Sequence, residues 1–312
     1  MSAKNVAVVG TGTMGPGIAA VFAFGGWQAV LVGRTRDTLA SGLSRSRLTG
    51  ANLERFGLLP RGRAAEAETR LSGTTDLEAA AAGADLVVEC IAENLEAKLD
   101  CFRRLDRAAR PDAILATNTS GLSISTIAAA TSCPARVAGM HWWNPPHLIP
   151  LIEVVSGKQT DEATVAAIAD TARALGKRPV VVRKDVPGFI GNRLQYALLR
   201  EAVHLVESGI ASAEDVDAAM RAGPGLRYAA MGPLEVADLI GLDVVADVMA
   251  YLLPELGAPS GIPELLTRLV GSRKLGVKRG RGFHDYAGRP LADLLTERDE
   301  RLAALPGIVG PA

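Results

Sequence analysis

The chain has 312 residues, of which 48 % are hydrophobic and 22 % are charged, and its 34 Lys plus Arg residues balance its 34 Asp plus Glu residues. This length is enough for two domains with buried cores, and a net charge of zero gives no global field to attract nucleic acid or a membrane surface. We see no signal peptide, no apolar run of about 18 residues and only three cysteines, so we expect a cytoplasmic protein without nucleic-acid or membrane partners.

Residues 1–185 alternate short β-branched runs with longer Ala-rich segments, which is typical of βαβ units around a parallel sheet. Residues 37–70 between the second and third runs are predicted to form two helices that protrude from the sheet. Their arginines most simply form a solvated face, and the alternative is that they contact a phosphorylated part of the substrate. The predicted strands are Asn5–Val9, Ala29–Val32, Leu86–Cys90, Ala113–Thr117, Val137–Met140, Leu151–Val155 and Pro179–Val182.

The β pattern ends near residue 186, and residues 189 to about 270 show amphipathic helices separated by Gly and Pro. We therefore predict an α/β fold, with a Rossmann-type doubly wound parallel sheet in residues 1–185 and a second, all-helical domain in residues 186–312. Because this helical domain carries more apolar side chains than a small bundle buries, we expect a homodimer that forms through it. Examples of these side chains are Leu194, Leu198, Leu205 and Ile210.

The first predicted strand runs into a Gly-x-Gly-x-x-Gly turn, which precedes an apolar helix over Ile18–Phe24. In such a turn Gly10 allows the sharp bend, Gly12 lets the backbone approach a pyrophosphate, and Gly15 lets the helix pack on the strand. The helix N-terminus adds partial positive charge. The pattern predicts a dinucleotide cofactor bound by Gly10, Thr11, Gly12, Thr13, Met14 and Gly15.

The end of the second strand bears on the choice of cofactor. NAD-specific proteins of this fold usually place an acidic residue there, on the ribose 2′-OH, but this chain has Gly33 followed by Arg34 and Thr35. A missing carboxylate and a nearby guanidinium favour NADP(H). The alternative is an NAD enzyme that does without the carboxylate, with Arg34 stacked on adenine.

Polar residues at the ends of later strands supply candidate chemistry. Ser120, His141 and Asn144 fall just after predicted strands, where a doubly wound sheet presents its ligands. Glu153 lies in the following strand, and an antiparallel return would bring its carboxylate beside the imidazole. No metal is expected, because His141 and His147 lack acidic or cysteine ligands at suitable spacing.

Several ordered motifs, from Val6 to about Tyr286, together resemble the 3-hydroxyacyl-CoA dehydrogenase family. The motifs are the glycine turn, Ala116–Leu122, His141–Pro146, Leu151–Val154, Pro187–Leu194 and Lys274–Phe283.

The resemblance implies hydride transfer between NAD(P) and the 3-hydroxyl or 3-keto group of a small-molecule 3-hydroxyacyl-CoA. His141 would be the general base, since an imidazole exchanges protons near neutrality. Glu153 would orient this imidazole and stabilise its charged form. Ser120 and Asn192 would hydrogen-bond the reacting oxygen. The further cofactor contacts implied by the family are Glu93, Lys98, Asn144 and Lys278.

The segment Gly223–Ala229 is similar to the branch of the family that acts on free hydroxy acids, such as L-gulonate 3-dehydrogenase and carnitine dehydrogenase. Its Arg227 would clamp a free carboxylate in bidentate fashion, or would pair with an acid at the dimer contact. A free 3-hydroxy carboxylic acid is therefore the alternative substrate. A hydrolase that uses Ser120 lacks a Gly-x-Ser-x-Gly elbow, and the intact set of polar residues argues against a non-catalytic binding protein.

Overall fold

The computed structural model describes residues 4–257 and 261–305. The chain divides into two compact units. The first unit contains the residues up to Asn192 together with those from Thr296, and the second unit is Arg193–Leu295. This division falls close to the domain boundary predicted after residue 185, which itself stays a prediction. The residues from Thr296 belong to the first unit, although they follow the helical segment in sequence.

The first unit is built on one eight-stranded sheet with the order β3-β2-β1-β4-β5-β6-β7-β8. All neighbouring strands are parallel except β6 and β7, which are antiparallel. This order confirms the predicted doubly wound α/β fold. In chain order, strands β1 to β8 are Asn5–Val9, Gln28–Val32, Leu71–Thr74, Leu86–Glu89, Ile114–Thr117, Val137–Trp142, Leu151–Val155 and Arg178–Val182.

Helices cover both faces of this sheet and make up the second unit. Helices α1 to α7 are Gly15–Phe24, Arg36–Arg55, Arg63–Glu68, Leu77–Ala82, Leu95–Ala108, Ile124–Ala128 and Glu162–Ala174. Helices α8 to α14 are Gly191–Glu207, Ala213–Ala222, Pro224–Ala230, Pro233–Ile240, Leu242–Leu252, Glu264–Gly271 and Leu291–Ala303. Short 3₁₀ turns are Pro134–Arg136, Leu253–Glu255 and Val277–Arg279.

Each face of the sheet has its own apolar core. Ile18 and Phe22 of α1 pack with Trp142 on one face, while Phe102 and Leu105 of α5 pack on the other. The central strands are buried on both faces, which explains their unbroken apolar runs.

Two expectations for the region between the second and fourth strands were wrong. The edge strand β3 was not predicted, because its sequence Leu-Ser-Gly-Thr has no apolar run and is only partly buried. Helix α2 does not protrude. It packs on α1 through small residues, among which Ser46 donates from Oγ to the Pro16 carbonyl at 2.8 Å.

The second unit confirms the predicted helical character of the segment after residue 189. It carries many exposed apolar side chains, including Leu194 at 59 %, Leu198 at 50 % and Ile210 at 66 % exposure. Among the helices that the structure describes, none has both the length and the apolar character needed to cross a bilayer.

Candidate active site

The glycine turn between β1 and α1 has a shape that only glycine tolerates at two positions. Gly10 has φ of 117°, and a Cβ there would lie 2.6 Å from the Cys90 carbonyl oxygen. A Cβ on Gly15 would lie 1.9 Å from the Gly10 oxygen. By contrast, among the described residues no heavy atom beyond Gly12 and its two chain neighbours lies within 4 Å of where a Cβ on Gly12 would be, so this part of the turn is open to a ligand.

A cleft of about 840 Å³ runs along this turn and the ends of β2 and β4. It is lined by Gly10 to Met14, by Gly33 and Arg34, and by Glu93 and Ser120. Ligand sites in proteins measure roughly 300–1,000 Å³, so the volume and the open backbone at Gly12 fit a dinucleotide. Thr35 is exposed, and its hydroxyl accepts from the Thr38 N–H as the N-cap of α2. Its contact with the cofactor stays a prediction.

Arg45 is a residue at this turn that the sequence did not reveal. It is exposed, as expected for this face, and its guanidinium also donates to the Gly12 carbonyl at 3.0 Å and to the Thr11 carbonyl. These bonds satisfy turn carbonyls and place positive charge beside the cleft. Because the contact depends on how α2 packs over the turn, no local motif signals it.

The close approach of α2 to β2 explains the glycine at position 33. A Cβ on Gly33 would lie 2.7 Å from the Leu39 Cβ and 2.9 Å from the Leu39 Cα. Any side chain at this position therefore requires the start of α2 to move. Arg34, which follows, is exposed and lines the cleft.

His141 and Glu153 are direct partners in the antiparallel pairing of β6 with β7. The His141 Nδ1 lies 2.8 Å from the Glu153 Oε2, and both side chains are buried, at 5 % and 1 % exposure. The expected antiparallel return is thus present. His141 lies inside β6 rather than after it, because pairing with β7 extends the strand as far as Trp142.

Both oxygens of Glu153 have several donors. Oε2 also accepts from the Trp143 Nε1 at 3.3 Å, and Oε1 accepts from the backbone N–H groups of Ile190 and Gly191, each at 2.9 Å. Burial alone would raise the pKa of Glu153, but hydrogen bonds from His141, Gly191 and Ile190 outweigh it and lower the pKa below its ordinary value. A charged carboxylate therefore faces Nδ1 and favours the tautomer with a proton there.

Ser120 and Asn192 are brought together by a hydrogen bond. The Asn192 Nδ2 donates to the Ser120 carbonyl oxygen at 2.9 Å, and Ser120 lines the cleft. Helix α6 is capped by Ser123 and not by Ser120, so the Ser120 hydroxyl is not used as a helix cap.

Glu93 and Lys98 lie near each other, in very different surroundings. Glu93 is half-exposed, and its Oε1 accepts from the Ser120 N–H at 2.9 Å. Lys98 is 1 % exposed, and its Nζ donates to Glu89 Oε1 at 2.7 Å and Oε2 at 2.9 Å, with Glu93 Oε2 at 3.5 Å. Glu89 was missed by sequence reasoning. The available signal was a lone carboxylate in an apolar strand, followed by a lysine in the next helix.

The remaining predicted contacts are spread over both units. Asn144 is exposed in the segment between β6 and β7. Arg227 lies in α10 and Lys278 in the 3₁₀ turn Val277–Arg279, and both are exposed in the second unit. The roles of these three residues stay predictions. Within the described residues no group of His, Cys, Asp and Glu is arranged to hold a metal ion.

A doubly wound sheet, a glycine turn on a cleft and a buried imidazole–carboxylate pair define a dinucleotide-binding protein of Rossmann type with an acid–base site. Comparison with known families agrees. The family model described as "3-hydroxyacyl-CoA dehydrogenase, NAD binding domain" matches residues 5–186, and that described as "3-hydroxyacyl-CoA dehydrogenase, C-terminal domain" matches residues 188–286. The chain belongs to the 3-hydroxyacyl-CoA dehydrogenase family.

Two relatives illustrate the range within this family. The chain is 40 % identical over 307 residues to 5-formyl-3-hydroxy-2-methylpyridine 4-carboxylate 5-dehydrogenase of Mesorhizobium japonicum, covering 98 % of each chain. It is also 40 % identical over 291 residues to mitochondrial hydroxyacyl-coenzyme A dehydrogenase of Homo sapiens, covering 91 % of each. A crystal structure of a 5-formyl-3-hydroxy-2-methylpyridine 4-carboxylic acid 5-dehydrogenase, described as an NAD⁺-dependent dismutase, superposes with a TM-score of 0.89 at 39 % identity, covering 97 % of each chain.

Proposed function

We propose that the chain is an NAD(P)-dependent oxidoreductase that transfers a hydride between the cofactor and the 3-hydroxyl or 3-keto group of a 3-hydroxyacyl-CoA. The observation that carries this proposal is the buried His141–Glu153 pair, in the sheet whose glycine turn opens on the cleft. Family membership supports the substrate class, since the human relative is named for hydroxyacyl-coenzyme A.

The residues of this chain supply the proton chemistry, while bound NAD supplies the hydride acceptor. Glu153 holds the proton on the His141 Nδ1, which leaves Nε2 as the basic nitrogen. Nε2 takes the hydroxyl proton as hydride leaves the carbon, and the imidazolium that forms is stabilised by the nearby carboxylate. In the reverse direction His141 returns this proton. Positioned acid–base catalysis contributes about 10²–10⁴-fold in rate.

We assign the polar residues around this pair to orienting the substrate and the cofactor. Ser120, and Asn192 which is bonded to it, would hydrogen-bond the reacting oxygen and so pre-organise the substrate carbon. Glu93 would contact the cofactor from the cleft wall. By family resemblance Asn144 and Lys278 would complete the cofactor contacts. Lys98, which the resemblance also implies, is 1 % exposed and bonded to Glu89, so it would act through Glu93, 3.5 Å away.

A free carboxylic acid is the second candidate substrate class. The M. japonicum relative is named for a 4-carboxylate. Because its alignment covers 98 % of this chain, the similarity includes α14. The match to the family's C-terminal domain ends before this helix, at residue 286. On this alternative, Arg227 would bind the carboxylate.

Between the two nicotinamide cofactors, we infer a preference for NADP(H) over NAD(H). Its support is the absence of a carboxylate at Gly33 and the exposed Arg34 on the cleft wall. Against it stands the related structure described as NAD⁺-dependent. Because a side chain at position 33 would displace Leu39, the informative variant is Arg34→Met. Its affinity for NADPH should fall about tenfold or more while its affinity for NADH stays the same, and an equal change for both would refute the NADP preference.

We also infer a homodimer that forms through the second unit, where large apolar side chains such as Leu194 and Leu198 are exposed. Sedimentation of the full chain tests this directly. A monomer at micromolar concentration would contradict it.

The reaction is tested by following nicotinamide absorbance with acetoacetyl-CoA and with free 3-keto acids, using NADH and NADPH in turn. Turnover of the thioester at high kcat/KM supports the leading substrate class, whereas turnover of the free acids alone supports the second. No absorbance change with any pair would refute both. Arg227→Ala should weaken a free acid far more than a thioester.

A further inference from the structure

The carboxylate of Glu89 lies buried beneath the loop that carries Ser120. Glu89 ends β4 and has 0 % exposure. Its Oε1 accepts from the Lys98 Nζ and from the Ile91 N–H, both at 2.7 Å. Its Oε2 accepts from the same Nζ at 2.9 Å and from the Thr117 Oγ1 at 2.7 Å. A carboxylate with these donors on both oxygens is fixed in one orientation.

One branch of hydrogen bonds leads from Glu89 along the end of β5. Thr117, which donates to Glu89, accepts at the same hydroxyl from the Thr119 N–H at 3.2 Å. The backbone carbonyl of Glu89 accepts from the Asn118 N–H at 2.8 Å. The chain that leaves β5 is therefore held at successive residues, up to the residue before Ser120.

A second branch reaches Ser120 through the buried lysine. The Lys98 Nζ lies 3.5 Å from the Glu93 Oε2. The other oxygen of Glu93 accepts from the Thr119 Oγ1 at 2.5 Å and from the Ser120 N–H at 2.9 Å. Both branches start at Glu89 and converge on the backbone of Thr119 and Ser120, although Glu89 itself is closed off from the cleft by its burial.

We propose that Glu89 is a positioning residue, which fixes the place of the Ser120 hydroxyl through Lys98, Glu93 and Thr117. The inference rests on the proposed function, in which Ser120 binds the reacting oxygen. A displacement of about 1 Å in an orienting group is enough to lower a rate about 10²-fold. The network therefore makes the rate depend on a residue that does not contact the substrate.

A double-mutant cycle tests this inference. Glu89→Gln removes the charge that holds Lys98 and should lower kcat about 10- to 100-fold. In a Ser120→Ala background the same substitution should change kcat less than about twofold, because the group that it positions is already gone. Equal effects of Glu89→Gln in both backgrounds would overturn the proposal.

Backbone hydrogen exchange provides a readout that does not depend on activity. In Glu89→Gln, amide exchange in the peptide that spans residues 117–122 should accelerate about tenfold or more. Unchanged exchange there would refute the positioning role. If the wild-type chain turns over none of the offered substrates, the proposed function fails, while the exchange measurement still tests the network.

A matched control is a second, largely buried ion pair of the same unit, between Asp106 and Arg136. Its Oδ1 to Nη2 distance is 2.8 Å, and each side chain is 10 % exposed. Asp106→Asn should lower Tm but leave kcat and the exchange of residues 117–122 unchanged. A similar loss of kcat in this variant would attribute the Glu89 effect to lost stability, and would overturn the proposal.

Thr117→Val is the second variant if Glu89→Gln does not fold. It removes one donor to Glu89 while it keeps the shape of the side chain and the ion pair with Lys98. A loss of kcat that disappears in the Ser120→Ala background is expected, and a loss that persists there contradicts the proposal.

Discussion

Two histidine–carboxylate pairs of the first unit can be compared directly. His141 lies 2.8 Å from Glu153, whereas the His147 Nε2 lies 3.7 Å from the Asp299 Oδ2. Neither ring nitrogen of His147 has a hydrogen-bond partner among the described residues. Asp299 instead contacts the guanidinium of Arg298 at 2.7 Å. A histidine and a carboxylate thus form a close, hydrogen-bonded pair in one place and a loose contact in the other.

The difference comes from the elements that carry the side chains. His141 and Glu153 face each other in the register of two neighbouring strands, so the backbone ladder sets their separation. Asp299 lies in α14, far along the chain from the segment that carries His147. We infer that strand pairing, and not the presence of both residues, makes the first pair suited to proton transfer.

The largest expected effect is on the reaction itself. His141→Ala should lower kcat about 10²–10⁴-fold, since it removes the general base, and should leave the Kd for NADH within about twofold. The control is His147→Ala, which should keep wild-type kcat. Steady-state kinetics and fluorescence titration measure both values, and full activity in His141→Ala would rule out the assigned base.

Substitution of the two carboxylates should distinguish the two pairs almost as clearly as substitution of the two histidines. Glu153→Gln keeps the size of the side chain but loses the charge that stabilises the imidazolium, so kcat should fall about 10²-fold or more. Asp299→Asn makes the matched change in the loose pair and should leave kcat unchanged. If both variants lose activity equally, the contrast between the pairs is wrong.

The pH dependence of the free energy of unfolding should also show the contribution of Glu153. Because its pKa is lowered in the folded protein from the ordinary 4.5, its contribution to the free energy of unfolding is fully present above pH 4.5. That contribution is lost as the pH falls through the folded pKa, since the unfolded state then binds the proton more readily. Chemical denaturation between pH 3 and 7 should show a larger loss in wild type than in Glu153→Gln, in which other carboxylates with lowered pKa values, such as Asp85 and Asp185, still titrate. Parallel curves for the two proteins would contradict it.

The smallest expected effect is at the loose pair. His147→Leu replaces a buried ring without hydrogen-bond partners in the described chain, so the free energy of unfolding should change by no more than about 1 kcal/mol. Urea denaturation measures this change. A loss of several kcal/mol would show that the His147–Asp299 contact is stronger than its 3.7 Å separation indicates.

The sequence predicted those parts of the fold that have a periodic or local signal. The apolar runs of β1 and β4, the glycine turn and the helices after residue 189 all have such signals. Strand β3 does not, because an edge strand with Ser and Gly lacks an apolar run. Its existence depends on pairing with β2, which is a tertiary interaction.

The same distinction holds for the candidate site. His141 and Glu153 could be placed together because a strand, a turn and a returning strand fit between them. The contacts of Arg45 with the glycine turn and of Glu89 with Lys98 depend on how a helix packs over a strand end. No spacing rule along the chain encodes these contacts, so the sequence did not show them.

The hydrogen bonds of Glu153 to the Ile190 and Gly191 amides have one further consequence. These amides lie at the start of α8, which leads out of the first unit into the second. One carboxylate therefore binds both the imidazole and the segment by which the polypeptide leaves the first unit. A substitution at Glu153 therefore cannot alter the surroundings of His141 without also altering the start of α8.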